Sequence, residues 1–386
     1  MVNKVLFFLL LIPSVTFGLI SAEIFPWSFF FILFFIKKID RYLLYFIFLM
    51  TLYMFLSLLL INNINSSNVF KSYITYLNPL LIFFFFLRNY KIKYDKVIIY
   101  FFYFLILLGI AQYFNFFSGI NNFFKLLIPR GSLISLDGIG GRGVTLLSSE
   151  PSRASYELLF IYIFIRRAFN KKIIYDFGIL LYLILIVKSI QGVFLALVFF
   201  TLFNLKILIP IFLSFGFFVL NGIFFGSNRI LDLFINLYKS PSDFFNIIIN
   251  VSGTRLASLY SNFLYSFKYP FGAGFGNWEN SSLEAFKNSG LNPNKILYFQ
   301  EFYEGAWASI RPTSFFSNVL LDFGLVGVIF IISILLIVKN KYNLDTRLFL
   351  FFIFFLLFSA DTGNPIPWLV MSTLLYKQKF TKLKND

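Results

Sequence analysis

Apolar runs separated by short polar connectors make up most of the chain. They lie at about 5–21, 23–36, 42–61, 72–87, 97–118, 154–165, 173–188, 192–205, 207–225, 314–338, 346–360 and 364–376. Runs near 20 residues, recurring from end to end, are what a helical membrane protein requires. The pattern predicts an all-α, polytopic integral membrane protein of about 12 transmembrane helices, one membrane domain over 1–386. The first run also has signal-peptide features: Lys4, an apolar core and small residues near Ser21 and Ala22. A second apolar run follows at once, so the first is read as a retained span. Two polar stretches interrupt the pattern, at about 119–153 and 226–313, the longer between the ninth and tenth spans. Loops of that length without long helices are usually functional. Residues 234–250 read as an amphipathic helix lying at the membrane surface.

Charge gives the spans a direction. Lys4, Lys37, Lys38, Arg41, Arg88, Lys91, Lys93, Lys96, Arg166, Arg167, Lys171, Lys172, Lys206, Lys339, Lys341, Arg347, Lys377, Lys379, Lys382 and Lys384 crowd short connectors on one side. They are 20 of the 33 basic residues. The positive-inside rule places that side, with both termini, in the cytoplasm, and both long loops outside. This placement also accounts for the net charge of +16 without invoking nucleic acid. Only 13% of residues are charged, against about 25% for soluble proteins. With no cysteine and no histidine, the chain offers no disulfide, thiol nucleophile, haem ligation, ordinary zinc site or imidazole base.

The candidate chemistry lies in the two external loops. Arg142 sits in Gly140-Gly141-Arg142-Gly143. Glycines allow close approach to a ligand, and a guanidinium can fork onto phosphate or carboxylate. A solvated loop arginine is the alternative. In Ser149-Glu150-Pro151-Ser152, Pro151 suits a first helical turn, with Ser149 or Glu150 as its cap. Capping does not explain why Glu150, Arg153 and Glu157 cluster where a chain enters the membrane. Arg153 and Glu157, one turn apart, suit an internal ion pair. Further on come Arg255, in Ser252-Gly253-Thr254-Arg255, and the string Gly272-Ala273-Gly274-Phe275-Gly276. The glycines suit either phosphate approach or a plain turn, and no βαβ unit surrounds them to make a dinucleotide fold. Arg311 marks the return to the membrane, and Asp322 falls two turns into the tenth span, where an acid is a functional candidate. Trp278, Trp307, Tyr298 and Tyr303 suit membrane anchoring or stacking on sugar faces. Lys188 reads as a lysine snorkelling to the interface.

The order of these strings carries a resemblance. Arg-Gly, then Glu-Pro-Ser before the sixth span, then Ser-Gly-x-Arg about fifteen residues before Pro-Phe-Gly-Ala-Gly-Phe-Gly, then Ser-Phe-Phe-Ser-Asn-Val-Leu-Leu-Asp-Phe-Gly-Leu-Val-Gly at the tenth span resembles the O-antigen polymerase (Wzy) and O-antigen ligase superfamily. The resemblance runs from about Arg142 to Gly327. It implies a polysaccharide polymerase of the bacterial cytoplasmic membrane that transfers undecaprenyl-diphosphate-linked oligosaccharide onto a second lipid-linked repeat unit. The implied roles are catalysis by Arg142, Arg255 and Arg311 at the leaving diphosphate, with Glu150 beside them. Gly272, Gly274, Gly276, Trp278 and Asp322 would contact substrate. No cofactor or metal is implied; the partners are the lipid-linked sugars, the bilayer, a chain-length regulator and a flippase. Ligases commonly carry a histidine where Thr313 stands, and threonine is no base near neutral pH, which favours polymerase. The base itself is open among Glu150, Glu301 and Glu304, or unnecessary. A lipid-linked-oligosaccharide flippase or other transporter, or an O-antigen ligase, is the alternative function.

Overall fold

A computed structural model describes residues 2–17, 24–35, 41–60, 65–91, 93–128, 130–134, 143–169, 173–203, 239, 247–249, 254–359 and 361–385. The regular structure of these residues is helical: α1 (Val2–Leu10), α2 (Trp27–Phe35), α3 (Arg41–Leu60), α4 (Ser66–Asn89), α5 (Tyr94–Tyr113), α6 (Asn121–Leu127), α7 (Pro151–Phe169), α8 (Ile173–Tyr182), α9 (Ile190–Phe203), α10 (Thr254–Lys268), α11 (Trp278–Lys287), α12 (Leu297–Tyr303), α13 (Phe315–Tyr342), α14 (Thr346–Phe358) and α15 (Ile366–Asn385). Three of them, α4, α5 and α13, are long and apolar enough to cross a membrane. The expected ninth span at 207–225 and the helix expected over 234–250 lie outside the described residues, apart from Lys239 and 247–249.

The first apolar run departs from expectation. It is not one helix over 5–21, because α1 ends at Leu10. Pro13 interrupts helical bonding, and the backbone then turns: the Thr16 amide bonds the Leu127 carbonyl at 2.9 Å, and the Phe25 amide bonds that of Pro13 at 2.8 Å.

The chain divides into two compact units, residues 1–35, 85–239 and 364–386 in the first and 36–84 and 240–363 in the second. In the first, α7 is the central helix. Every residue from Ala154 to Ile165 is buried, the sign of a helix packed on all sides, and α5, α9 and α15 surround it. Where its basic end emerges, Arg166 holds Asp176 through two bonds of 2.5 and 2.9 Å, and Tyr162 donates to the same carboxylate. The connector after α4 repeats the arrangement. Tyr90 and Lys377 both bond Asp95 at 2.5 Å. Burial and the Asp95 carboxylate raise the Tyr90 hydroxyl far above its ordinary value, so it remains a donor.

In the second unit, α10, α11 and α14 pack against α13. Ser314 caps α13 by accepting from the Ser317 amide at 3.3 Å, and Asn343 closes it in the left-handed conformation at φ 57°. Between these ends α13 is broken. Gly324 has φ 64° and ψ −161°, a region essentially reserved for glycine. The residues after it, 325–342, reach about 27 Å at 1.5 Å each, close to the ~30 Å hydrocarbon core. The residues before it form a separate short helix.

Candidate functional site

The break in α13 is filled by the glycine string. The amides of Ala273 and Gly274 donate to the Leu321 and Asp322 carbonyls at 2.8 and 3.1 Å, and the Val326 amide donates to the Pro270 carbonyl at 3.1 Å. A helix interruption leaves carbonyls and amides unpaired; here the 270–276 turn satisfies them. The approach is backbone to backbone. A Cβ on Gly272, at φ 78°, would stand 2.5 Å from the Asp322 carbonyl group, and one on Gly324 would stand 2.1 Å from the Pro270 oxygen. The amide of Gly272 bonds the Tyr269 carbonyl at 2.9 Å. The Gly276 amide faces the Asp322 carboxylate. The amides of Gly272 and Gly274 are therefore occupied by protein carbonyls.

Two tyrosines of the apolar runs complete the joint. The Tyr53 hydroxyl, from α3, reaches the carbonyls of both Phe271 and Asp322, at 2.8 and 2.7 Å. Ser57, one turn on, accepts from the Phe275 amide at 3.1 Å. Tyr76, from α4, donates to the Asp322 carboxylate at 2.9 Å. Phe275 is fully buried among Tyr53, Tyr73, Tyr76 and Phe323. Asp322 is buried, and Arg311 stands near enough to act electrostatically on it and on Tyr76.

The arginines are placed by helix pairing. Ser258 meets Ser317 at 3.5 Å, Asn262 donates to the Ser317 carbonyl at 3.1 Å, and Tyr265 packs with Leu321. These contacts advance together along both helices, so α10 and the first part of α13 run side by side in the same direction. Arg255 is one turn before Ser258, and Arg311 lies just before the cap at Ser314. Both guanidinium-bearing residues therefore sit at the same end of the pair, together with the two helix N-termini, whose dipoles add positive potential. Arg311 is exposed and makes no ion pair among the described residues. Between Arg311 and the cap, the Thr313 hydroxyl is buried with no hydrogen-bond partner among them.

Other expected residues have structural settings. Trp278 is half-buried against Tyr265, Ala285 and Leu321. Trp307 stacks on Phe286 at 5.1 Å, with Phe299 edge-on at 4.7 Å. Glu301 and Glu304 are exposed. Arg142 lies outside the described residues.

Glu150 belongs to the first unit, where it pairs with Arg130 at 2.9 Å and accepts from Ser152 at 3.2 Å. Behind it lies a buried polar network. Arg153 donates to Ser149, while Glu157 accepts from Ser148 and Asn364, all at 2.5 Å. Gln112 of α5 pins the preceding loop, donating to the Ser132 and Leu146 carbonyls at 3.1 and 3.0 Å and accepting from the Leu146 amide at 2.9 Å. Gly143 packs against a π-helical turn at Leu183–Val187; a Cβ there would stand 2.2 Å from the Val187 oxygen. Lys188, expected to snorkel outward, is instead buried and lies 5.5 Å from the centre of the Tyr113 ring. The π-helical turn ends in a left-handed residue at Lys188 itself, φ 51°, which directs the side chain back into the unit.

Sequence reasoning passed over Tyr53, Tyr76, Ser57 and Gln112. The chain has 22 tyrosines and 60 phenylalanines, and against that background two functional-looking hydroxyls inside apolar runs leave no mark. Compared with known proteins, the chain matches no family model, no curated protein and no solved structure.

Proposed function

We propose that the protein is a lipid-carrier glycosyltransferase of the bacterial cytoplasmic membrane, a polymerase of O-antigen or capsule repeat units. In this reading the chain spans the membrane about twelve times with both termini in the cytoplasm. Its substrates are two undecaprenyl-diphosphate-linked oligosaccharides. The observation that carries it is the convergence of Arg255 and Arg311, from separate motif strings, at one end of the α10–α13 pair. The unbroken part of α13 from Leu325 to Lys339 spans about 21 Å, and Asp322 and the arginines lie beyond its far end. With Lys339 taken at the cytoplasmic rim, this supports a position for them toward the outer side of a ~30 Å hydrocarbon core.

The chemistry follows from that position. The bond between the donor's anomeric carbon and its diphosphate oxygen breaks, and undecaprenyl diphosphate leaves with the electron pair. A hydroxyl of the acceptor unit bonds the anomeric carbon and gives up its proton. Arg255 and Arg311 stabilise the charge gathering on the leaving diphosphate, where low dielectric strengthens each contact. Asp322, held by Tyr76, fixes the floor of the site, while Gly272 and Gly274 shape it. Trp278 lines it. Proton removal falls to Glu301 or Glu304, or to solvent.

The Gly324 break favours a second reading, since transporters of lipid-linked sugars and other solutes are commonly built on interrupted helices. One experiment separates the two. Arg255→Ala and Arg311→Ala are expressed in a strain lacking the native copy, and surface polymer and lipid-linked intermediates are analysed. A polymerase variant accumulates single-repeat lipid-linked units on the outer leaflet, with chain lengthening down about 10²–10³-fold. Accumulation on the cytoplasmic leaflet points to transport, and wild-type polymer ladders overturn the arginine roles.

A further inference from the structure

The helix α10 has its polarity reversed. The face it buries against α13 is small and polar: Ala257, Ser258, Ser261, Asn262 and Ser266, with Tyr265. The face it leaves open is aromatic. Tyr260, Phe263 and Phe267 are 43, 44 and 60% exposed, and their spacing of three to four residues aligns them as one stripe; Phe271, in the turn that follows the helix, is 70% exposed. A helix in water shows the opposite arrangement. Small residues inward and large apolar residues outward are what membrane helices show where they pack together.

Its position agrees. The lower end of α10 leads into the glycine turn, which is built into α3, α4 and α13. Tyr53, which bonds that turn, lies 12 residues from Arg41 at the start of α3. That is about 18 Å of helix, and the unbroken part of α13 from Lys339 to Leu325 gives about 21 Å. Both are shorter than the ~30 Å hydrocarbon core. The backbone of the turn meets the condition for irregular chain at that depth, since its amides are taken by neighbouring protein. Other apolar side chains of the same unit are exposed as well: Val326, Ile329 and Ile337 on α13, and Phe48, Leu52 and Phe55 on α3.

We propose that α10 and the glycine turn are seated in the outer leaflet, with Tyr260, Phe263, Phe267 and Phe271 against lipid acyl chains and Arg255 at the headgroup level. The segment expected from sequence as an aqueous loop is therefore partly a membrane element. This rests on α13 crossing the bilayer, so the test reports on that separately.

The chain has no cysteine, so each single-cysteine variant carries one spin label. Labels at Phe263→Cys, Phe267→Cys and Phe271→Cys in lipid nanodiscs are compared with Ile329→Cys and Ile337→Cys on α13 and with the exposed Asn280→Cys on α11. The stripe labels are expected to collide with oxygen and to be shielded from a water-soluble nickel chelate, with the oxygen-to-nickel ratio severalfold above that at Asn280 and rising from 263 to 271. Nickel access equal to that at Asn280 overturns the proposal while leaving the α13 controls intact. Shielding from both reagents also overturns it, because it shows a protein surface, such as a second copy, covering the stripe. Aqueous α13 controls bring down the membrane reading itself.

Discussion

The two units hold their external strings by opposite means. In the first, side chains do it. Gln112 reaches out of α5 to bond loop backbone, Asn364, just before α15, bonds the buried Glu157, and the Ser-Glu-Pro-Ser string is tied in through Ser149 and Arg153. In the second, backbone does it. The glycine string lies directly on a broken helix, and amides bond carbonyls without intermediaries. A side-chain latch tolerates shape but depends on each donor finding an acceptor. A backbone joint depends on what is missing, the Cβ.

That contrast sets the expected sizes of four perturbations. The largest is Gly324→Ala, which forces a side chain into a glycine-only conformation and to 2.1 Å from the Pro270 oxygen. It should destabilise the protein by about 4 kcal/mol, read as a fall in detergent-solubilised melting temperature and loss of folded yield. Next is Glu157→Ala, which removes the carboxylate that accepts from the buried Ser148 and Asn364 side chains, a loss of about 3 kcal/mol. Partial restoration by an added Ser148→Ala would show that an unpaired donor, and not lost packing, contributes to it. Tyr76→Phe removes one bond to Asp322 and should cost about 1–2 kcal/mol. Its chain-lengthening rate should fall more than its stability does, if the floor of the site must be fixed. The smallest is Arg130→Ala. Its side chain is 64% exposed, and a pair of that kind contributes less than about 1 kcal/mol. A change in polymer output without a change in melting temperature would then mark Glu150 as functional and not merely paired.

How far the sequence discloses this molecule follows the same division. Hydrophobic runs at about 42–61, 72–87 and 97–118 carry α3, α4 and α5, because burial in apolar surroundings is written into composition alone. The break in α13 is hidden, since Gly324 opens a stretch that is apolar through Ile332 and carries no helix-breaking proline, and only the backbone angles reveal it. The reversed polarity of α10 is hidden for a different reason. Its serines and its asparagine lower the mean hydropathy to that of a loop, although they face protein. Arg255, Arg311, Asp322 and the glycines stand out as residue types, but the pairing of α10 with α13 that gathers two of them needs tertiary contacts between residues some 55 positions apart. Pro13 is visible in the sequence, and its interruption of the first run is legible once helix-breaking is weighed above hydropathy.

The interruption at Gly324 also has a mechanical meaning. A continuous rod answers a thinner or thicker bilayer by leaning, and whatever rides on its tip swings with it. Here the upper piece is fastened to α10 and to the 270–276 turn, and the first turn of the lower piece is tied to that same turn through the Val326 amide. In the proposed membrane setting a lean of the lower piece is therefore braced by α10 and the turn and not passed straight to the guanidinium end.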